Sequence, residues 1–361
     1  SAGSAASGGL SAAIDDFFNS FQAVASSPTD IGARQTLMQK AQILTDSFQE
    51  TDNRLNQVQS DIDTQIGSDV KSVNDLLSTI ADLNAQIARV EIGHPGGAVD
   101  LRDQRQAKFE ELAAKLPIDY VETADGQTQV TVKDSSGANI MLVDKSSVTG
   151  PVTFTGTGLT AGATPTAVDL TRGSIYGSLQ ARDVGVKQLR DNLDVLAQQL
   201  VTSVNGVYNP SATAGGDFFD PAGTTAGTIT VQAGLTAAGI VTGSSGAAGD
   251  NTIALGVANL ATHVFSTTGT PADAIDGTFG QFYTSAASNF GQALSTANAR
   301  VTDQTNVANL VRSQRDAVSG VSLDEEMADL VKFQRAFQAS SRVFTVVDDL
   351  LDTVVNHLGV G

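Results

Sequence analysis

The chain has 361 residues, of which 41% are hydrophobic and 17% charged, so it is long enough to bury a sizeable core in two or three domains. It carries 21 basic and 39 acidic residues, and the formal net charge of −18 repels nucleic acid and anionic lipid surfaces. The absence of cysteine excludes disulfides, thiolate metal sites and cysteine nucleophiles. No run approaches the about 20 apolar residues of a membrane-spanning helix, so we expect neither nucleic acid nor a membrane as a partner.

The first predicted part, residues 1–116, has a helical pattern from Leu10 onward and is expected to form the N-terminal part of a helical bundle. Ser27 followed by Pro28 predicts a helix N-cap with proline at the first helical position. Farther on, apolar residues recur every seven positions on two seams, which predicts a long helix packed at a shallow angle. These seams contain Ile66, Val73, Ile80 and Ile87, and three residues later in each heptad Leu76, Leu83 and Val90. The sequence IGHPGG at 92–97 ends this helix, because proline cannot continue it and glycine caps it.

Residues 117–171 change to short β-prone runs and are predicted to form a hairpin module. Asp125-Gly126 and Ser136-Gly137 separate these runs and are typical hairpin turns. Residues 172–210 are predicted to be a helix returning to the bundle. Its apolar stripe contains Leu189, Leu193, Leu196, Leu200 and Val204.

Residues 211–283 are rich in glycine, alanine and threonine and are predicted to form a β insertion exposed on the outside. Between Arg190 and Arg300 the chain has no lysine or arginine, whereas the same interval holds seven aspartates. A surface without cations cannot hold phosphate or nucleic acid by ion pairing.

The last part, residues 284–361, is predicted to complete the bundle and to end in a coiled-coil helix after a turn at Ser319-Gly320. Ser322 and Glu325 form a predicted capping box at its start. The helix would be about 54 Å long at about 1.5 Å per residue, which exceeds the width of a small domain and predicts a rod-like partner. We therefore expect its apolar seam to be an assembly interface, and the seam consists of Leu323, Leu330, Phe337, Phe344, Leu351 and Leu358 with the companions Phe333, Val347 and Val354.

Residues that could carry chemistry have structural interpretations. His94, His263 and His357 lack a second histidine or a carboxylate at metal-ligand spacing. The sequence GTGLTAG at 156–162 imitates a dinucleotide fingerprint, but no helical pattern follows it, so a β turn is expected. The acids around Glu325 fit a helix cap and the helix dipole. We expect no catalytic residue, no metal site and no cofactor.

Together the parts predict an α+β multidomain protein, in which a long-helix bundle built from both chain ends carries inserted glycine-rich β modules.

Several stretches resemble a known family. SGVSLDEEMADLVKFQRAFQASSRVFTVVDDLLDTVV is similar to the C-terminal signature of bacterial flagellar axial proteins. Within that group the chain most resembles the hook-associated protein 1 family, through DDFFNSFQAVASSPTDIGARQTLMQKAQILTDSF, GGAVDLRDQRQAKFEELA and GSIYGSLQARDVGVKQLRDNLDVLAQQLVTSVN. The matching positions are Phe17, Phe18, Pro28, Arg34, Asp100, Leu101, Asp103, Arg105, Leu193, Ala197, Asn205, Gln334, Ala336, Phe337, Gln338 and Ala339. The resemblance covers more than half of the chain and leaves the glycine-rich insertions unmatched.

The resemblance implies a structural role. Members are exported unfolded by the flagellar type III apparatus, without a cleaved secretory signal, and a dedicated chaperone recognises their C-terminal region. They self-assemble into a ring at the hook–filament junction, outside the cell, so the implied partners are further copies, the hook protein, the second hook-associated protein and that chaperone. The family begins with an N-terminal helix that pairs with the C-terminal one, and no such segment precedes SAGSAASGGL, so an N-terminally truncated chain is expected.

Other functions stay open at this point. A hook or rod protein would share the C-terminal signature but should be mainly β between its terminal helices. A secreted enzyme with its site in residues 211–283 would need a metal or nucleophile constellation there, and that interval offers one histidine and scattered aspartates. An adhesive insertion is a third alternative.

Overall fold

The computed structural model describes residues 3–319 together with Lys332, Gln334 and Arg335. The chain divides into two compact units, one that ends at Gly291 and one that begins at Gln292, and each is described by itself. The described part is mostly helical with small antiparallel sheets, which agrees with the predicted α+β class. That the five predicted parts are separate domains stays a prediction.

Seven α-helices account for most of the described residues. In chain order they are α1 (Gly3–Ser26), α2 (Ile31–Val90), α3 (Val99–Ala113), α4 (Ser174–Gln180), α5 (Lys187–Tyr208), α6 (Thr252–Asn259) and α7 (Phe279–Ser319). A π-helical segment, Ala181–Val186, joins α4 to α5, and single 3-10 turns lie at Ala237–Gly239 and Leu260–Thr262.

The turn between α1 and α2 differs from the prediction. The Ser27 amide still donates to carbonyls of α1, so Ser27 ends the first helix and does not begin the second. Asp30 is the N-cap of α2, because its side chain accepts a 2.8 Å hydrogen bond from the Gly32 amide. Pro28 lies within the turn, and its carbonyl accepts hydrogen bonds from the Arg34 guanidinium at 2.8 and 2.6 Å.

The predicted hairpins are confirmed in two small sheets. Strands β1 (Asp119–Glu122), β2 (Thr128–Lys133), β3 (Asn139–Asp144) and β4 (Ser147–Val148) pair antiparallel in sequence order. Strands β5 (Thr153–Phe154), β6 (Leu159–Ala161) and β7 (Thr166–Ala167) form the second sheet. Gly126 and Gly137 have φ of 75° and 82°, as turns in the left-handed region require. The GTGLTAG stretch is the β5–β6 hairpin, so its interpretation as a β turn holds.

Two separate hydrophobic cores lie along the 60-residue helix α2. The first core combines α1, the N-terminal part of α2, α5, α6 and the start of α7, and we call these elements the first lobe. The second core combines the C-terminal part of α2, α3, α4 and the two sheets, which form the second lobe. The predicted seam of α2 is confirmed as a buried face, since Ile66, Val73, Ile80 and Ile87 are fully buried. Val90, at the end of the helix, is the exception and is 53% exposed.

The glycine-rich stretch 211–283 contradicts its prediction. Within it the structure has the short helix α6 and two isolated bridges, Phe219 with Val231 and Phe265 with Gly277, and no strand. It is not an exposed module, because its few large apolar side chains fill the first core. Those anchors are Phe218, Phe219, Ile229, Ile240, Ile253, Phe265 and Ile275. The hydrophobic character of the stretch is concentrated at these few anchors, so its overall composition does not indicate that they are buried.

The aspartates of this stretch organise its turns. Asp250 accepts hydrogen bonds from the amides and hydroxyls of Ser245 and Thr252, and these bonds hold the pKa of its carboxyl well below the usual range. In the same way, Asp273 accepts from the Ser266 amide at 2.9 Å. An irregular chain needs such local acceptors because its backbone amides have no strand or helix partners.

Candidate functional site

The interface residues predicted on the terminal helix lie outside the described residues. They are Leu323, Leu330, Phe333, Phe337, Phe344, Val347, Leu351, Val354 and Leu358, and the predicted cap residues Ser322 and Glu325 lie outside as well. These assignments stay predictions.

Helix α7 presents another surface of the same kind within the described residues. Every residue from 292 to 314 is exposed, so among the described residues of its own unit this stretch of helix has no covering layer. We call its large apolar side chains the α7 stripe: Leu294, Val301, Val307, Leu310 and Val311, which are 53 to 65% exposed. Isolated helices are marginal in water, and most helices gain their stability from packing of an apolar face. The stripe is therefore the candidate functional site of the described chain.

Leu294, Val301 and Val311 of the stripe lie on a coiled-coil seam, whereas Val307 and Leu310 lie elsewhere around the helix. Leu294, Val301 and Ala308 are seven residues apart, and Ala297, Gln304 and Val311 follow three residues later in each heptad. This spacing was available in the sequence, but the small residues alternate with the large ones and weaken the signal. The predicted seam after Leu323 is more regular.

A second group of residues forms a polar clamp around α3, and it contains Arg105, one of the positions matched to the family by sequence. Arg105 is 4% exposed, and its Nη1 donates to the Asn84 side-chain oxygen and to the Gly126 carbonyl, both at 2.7 Å. Arg102 pairs with Glu91 at 2.7 Å and with Glu122 at 2.8 Å. The clamp joins the end of α2, α3 and the β1–β2 hairpin, so its role is to fix the second lobe.

The charges of the clamp shift one another's pKa. The hydrogen bond from Arg102 lowers the pKa of Glu91 to about 2, although burial acts in the opposite direction. Burial lowers the pKa of Arg105, and the neighbouring Glu122 carboxylate partly offsets this. A fixed ion pair thus lowers the pKa of Glu91 and burial lowers that of Arg105, so both shifts follow from the packing of the clamp.

Two further matched residues have structural roles in the first lobe. Asn205 holds the start of the glycine-rich stretch: its Nδ2 donates to the Phe219 carbonyl at 2.9 Å, and its Oδ1 accepts from the Phe218 and Phe219 amides. Phe17 lies in an aromatic cluster, with ring centroids 5.7 Å from Phe218 and 5.5 Å from Phe219. The matched residues thus specify packing of this fold.

Residues considered for chemistry do not come together. No group of three or more histidine, aspartate or glutamate side chains with metal-binding proximity occurs among the described residues. His263 packs edge-on against Phe265 at 4.7 Å, and His357 lies outside the described part. In the same part of the chain, no helix has the length and apolar character needed to cross a bilayer.

Comparisons with known proteins agree on one family. The family model described as the flagellar hook-associated protein FlgK helical domain matches residues 2–219, and that of the flagellar basal body rod FlgEFG protein C-terminal matches residues 312–357. Flagellar hook-associated protein 1 of Bacillus subtilis is 28% identical, over 98% of this chain and 77% of the relative. The protein of the same name from Salmonella typhimurium is 30% identical, over 55% of this chain and 38% of the relative.

A solved structure shows a similar fold. The flagellar hook junction protein FlgK from Burkholderia pseudomallei is 24% identical and superposes with a TM-score of 0.50, covering 59% of this chain and 40% of that one. The family model alone spans more than half of the chain, and it includes the clamp, the aromatic cluster and Asn205. The chain therefore belongs to the FlgK family of flagellar hook-associated proteins.

Proposed function

We propose that this protein is a structural component of the bacterial flagellar axis that links the hook to the filament. The membership of its helical domain in the FlgK family supports an axial role. The names of its relatives, hook-associated protein 1, support the position at the junction. Its role is mechanical, and it acts by self-assembly through helical regions outside the cell, after export without a cleaved signal.

The single observation that carries self-assembly is the α7 stripe. Covering a fully exposed valine or leucine stabilises by about 1.5–3 kcal/mol, and the stripe side chains, somewhat more than half exposed, would contribute about 1–2 kcal/mol each. Leu294, Val301 and Val311, the three that share the seam, give on the order of 3–6 kcal/mol, against which association costs at least about 4 kcal/mol. Burial of this helix face therefore favours assembly, and neighbouring copies are the proposed partners.

The predicted seam of the terminal helix is the second proposed interface. We assign it to assembly and to the export chaperone, which would cover the seam before export. Phe337→Asp combined with Phe344→Asp should abolish chaperone binding in calorimetry. The matched control, Gln334→Asp with Ser341→Asp, places the same charges seven residues apart at polar positions and should bind normally. Equal affinity of both double variants would contradict the chaperone assignment.

Deletion of the gene tests the junction role. We expect cells with hooks but no filaments, and flagellin released into the medium, because the filament has nothing to attach to. Retained filaments would contradict the proposal. The implied neighbours are the hook protein on one side and the second hook-associated protein on the other.

A rod or hook component is the second candidate, since residues 312–357 match the rod-protein C-terminal model. The match to the FlgK helical domain over residues 2–219 favours the junction. The same deletion separates the two, because loss of a rod or hook component removes the hook as well. Hooks without filaments therefore support the junction and exclude the second candidate.

A further inference from the structure

The two lobes of the first unit share no hydrophobic core. The first core ends on α2 at Phe48, with Asp52 and the half-buried Leu55 at its edge, and the second begins at Ile66. None of the side chains from 53 to 65 is buried. Leu55 still packs at the edge of the first core and Ile62 at the edge of the second, so the part of α2 without apolar packing lies between them and is about 10 Å long at about 1.5 Å per residue.

The chain crosses between the lobes a second time through the π-helical segment. Ala181–Val186 follows α4 of the second lobe and precedes α5 of the first. Val186 is buried there but belongs to neither core. π-Helical turns are rare, they interrupt the regular α-helical ladder, and they mark functional positions in many helices. We call residues 53–65 and 181–190 together the waist.

Two arginines connect the helices of the waist. Arg182, 4% exposed, donates from Nη1 to Asp63 at 2.6 Å and from Nε to its neighbour Asp183 at 2.7 Å. Arg190 donates from Nε to Asp52 at 3.0 Å and from Nη1 to Gln59 at 3.3 Å. Each arginine donates from the returning helical segment to side chains of α2. Polar contacts therefore join the helices at the waist, whereas apolar side chains join them in both lobes.

We propose that the waist is a bending joint, which lets the two lobes tilt as rigid bodies and whose range the Arg182 and Arg190 tethers limit. Long helices curve at radii of about 60–100 Å, so about 10 Å of unsupported helix allows a tilt of about 5–10°. Close-packed interiors have discrete arrangements and resist such bending, whereas hydrogen-bonded side chains follow it by changing rotamers. The inference is independent of the proposed function.

Distances between spin labels test the joint directly. The chain contains no cysteine, so introduced pairs are labelled at the intended positions alone. Thr202 on α5 and Gln104 on α3 are exposed and report across the waist. Thr36 with Thr202 reports within the first lobe, and Ser78 with Gln104 within the second. We expect the distance distribution across the waist to be about twice as wide as those within the lobes.

Variants with matched controls distinguish the loss of a tether from a general destabilisation of the protein. Arg190→Gln should widen the distribution across the waist and leave those within the lobes unchanged. Lys187→Gln removes the same charge from the same helix but breaks a local pair with Asp191, so it should leave all distributions unchanged. Arg190 is 32% exposed at its side chain, so its loss leaves both cores intact.

Stiffening the π-helical segment should have the opposite effect. Gly185→Ala adds helix propensity, and the new Cβ would meet only the Phe290 ring at 3.7 Å, an ordinary contact. It should narrow the distribution across the waist, while Gly206→Ala, in the open on α5, should not. A wild-type distribution across the waist as narrow as those within the lobes would overturn the proposal. So would an unchanged width in Arg190→Gln.

Discussion

Replacing Arg105 with methionine is expected to destabilise the protein by about 3 kcal/mol. The guanidinium makes two hydrogen bonds of 2.7 Å, to Asn84 and to the Gly126 carbonyl, and bonds of a charged group contribute about 1.5–3 kcal/mol each. The lower end of that range applies, because the Asn84 oxygen keeps its bonds from the amide and hydroxyl of Thr128. Methionine retains part of the packing of the side-chain stem next to Phe109.

Urea unfolding followed by far-ultraviolet circular dichroism measures this loss, since the chain has no tryptophan for a fluorescence assay. Hydrogen exchange of β1 and β2 should locate it in the second lobe. The control is Arg54→Met, which removes an exposed i,i+4 pair with Glu50 and should cost at most about 0.5 kcal/mol. An Arg105→Met variant as stable as Arg54→Met would refute the clamp as a determinant of the lobe.

Two further predictions concern the turn before α2 and the acid sensitivity of the clamp. Asp30→Ala should cost about 1 kcal/mol because it removes the N-cap bond, whereas Ser27→Ala should cost little, and the reverse order in urea unfolding would restore Ser27 as the cap. Glu91 has a folded pKa of about 2 against an ordinary value of 4.5, so the stability that its pair with Arg102 contributes is complete above about pH 4.5 and is lost as the pH falls toward 2. Unfolding midpoints between pH 2 and 6 should therefore fall less steeply in Glu91→Gln than in the wild type, and parallel curves would show that the pair contributes nothing.

The helices and hairpins were predictable because their signals are local and periodic. The seven-residue seam through Ile66 and Ile80 reports a buried helix face, whatever that face packs against. Asp125-Gly126 specifies a tight turn because glycine takes positive φ without strain. Neither signal depends on distant parts of the chain.

The glycine-rich stretch was mispredicted because its structure depends on distant contacts. Phe218 and Phe219 look like isolated apolar residues in the sequence, but they meet Phe17 from α1, some 200 residues earlier in the chain. Asn205 positions them through three backbone hydrogen bonds. No periodicity marks a loop that is held by a few anchors, so composition alone suggested an exposed β module.

The cap of α2 shows how close alternatives compete. Ser27-Pro28 has the residue types of a helix start, and so does Asp30, three residues later. The choice depends on whether α1 continues through Ser26, and the α1 residues before the turn are buried in the first core. Tertiary packing of α1 therefore decides which residue caps α2, and the sequence of the turn does not.

The candidate site was less predictable than the fold. An apolar seam on a helix near the end of the chain predicts an assembly surface, and within the described residues α7 carries exposed apolar side chains. The predicted seam from Leu323 to Leu358 lies outside them. The roles of Arg102 and Arg105 could not be derived from their spacing, because their partners come from α2 and a hairpin that only the fold brings together.

The central claim is that the α7 stripe is an assembly surface of a flagellar axial protein. Its most direct test is the fraction of hooks that carry filaments when the gene deletion is complemented with Leu294→Asp combined with Val301→Asp. Complementation with Ser295→Asp and Thr302→Asp, which place the same charges one residue away, is the control. Loss of filaments with the first variant, and normal filaments with the control, is the predicted result when both chains are exported in equal amounts. Normal filaments with both variants would contradict the account.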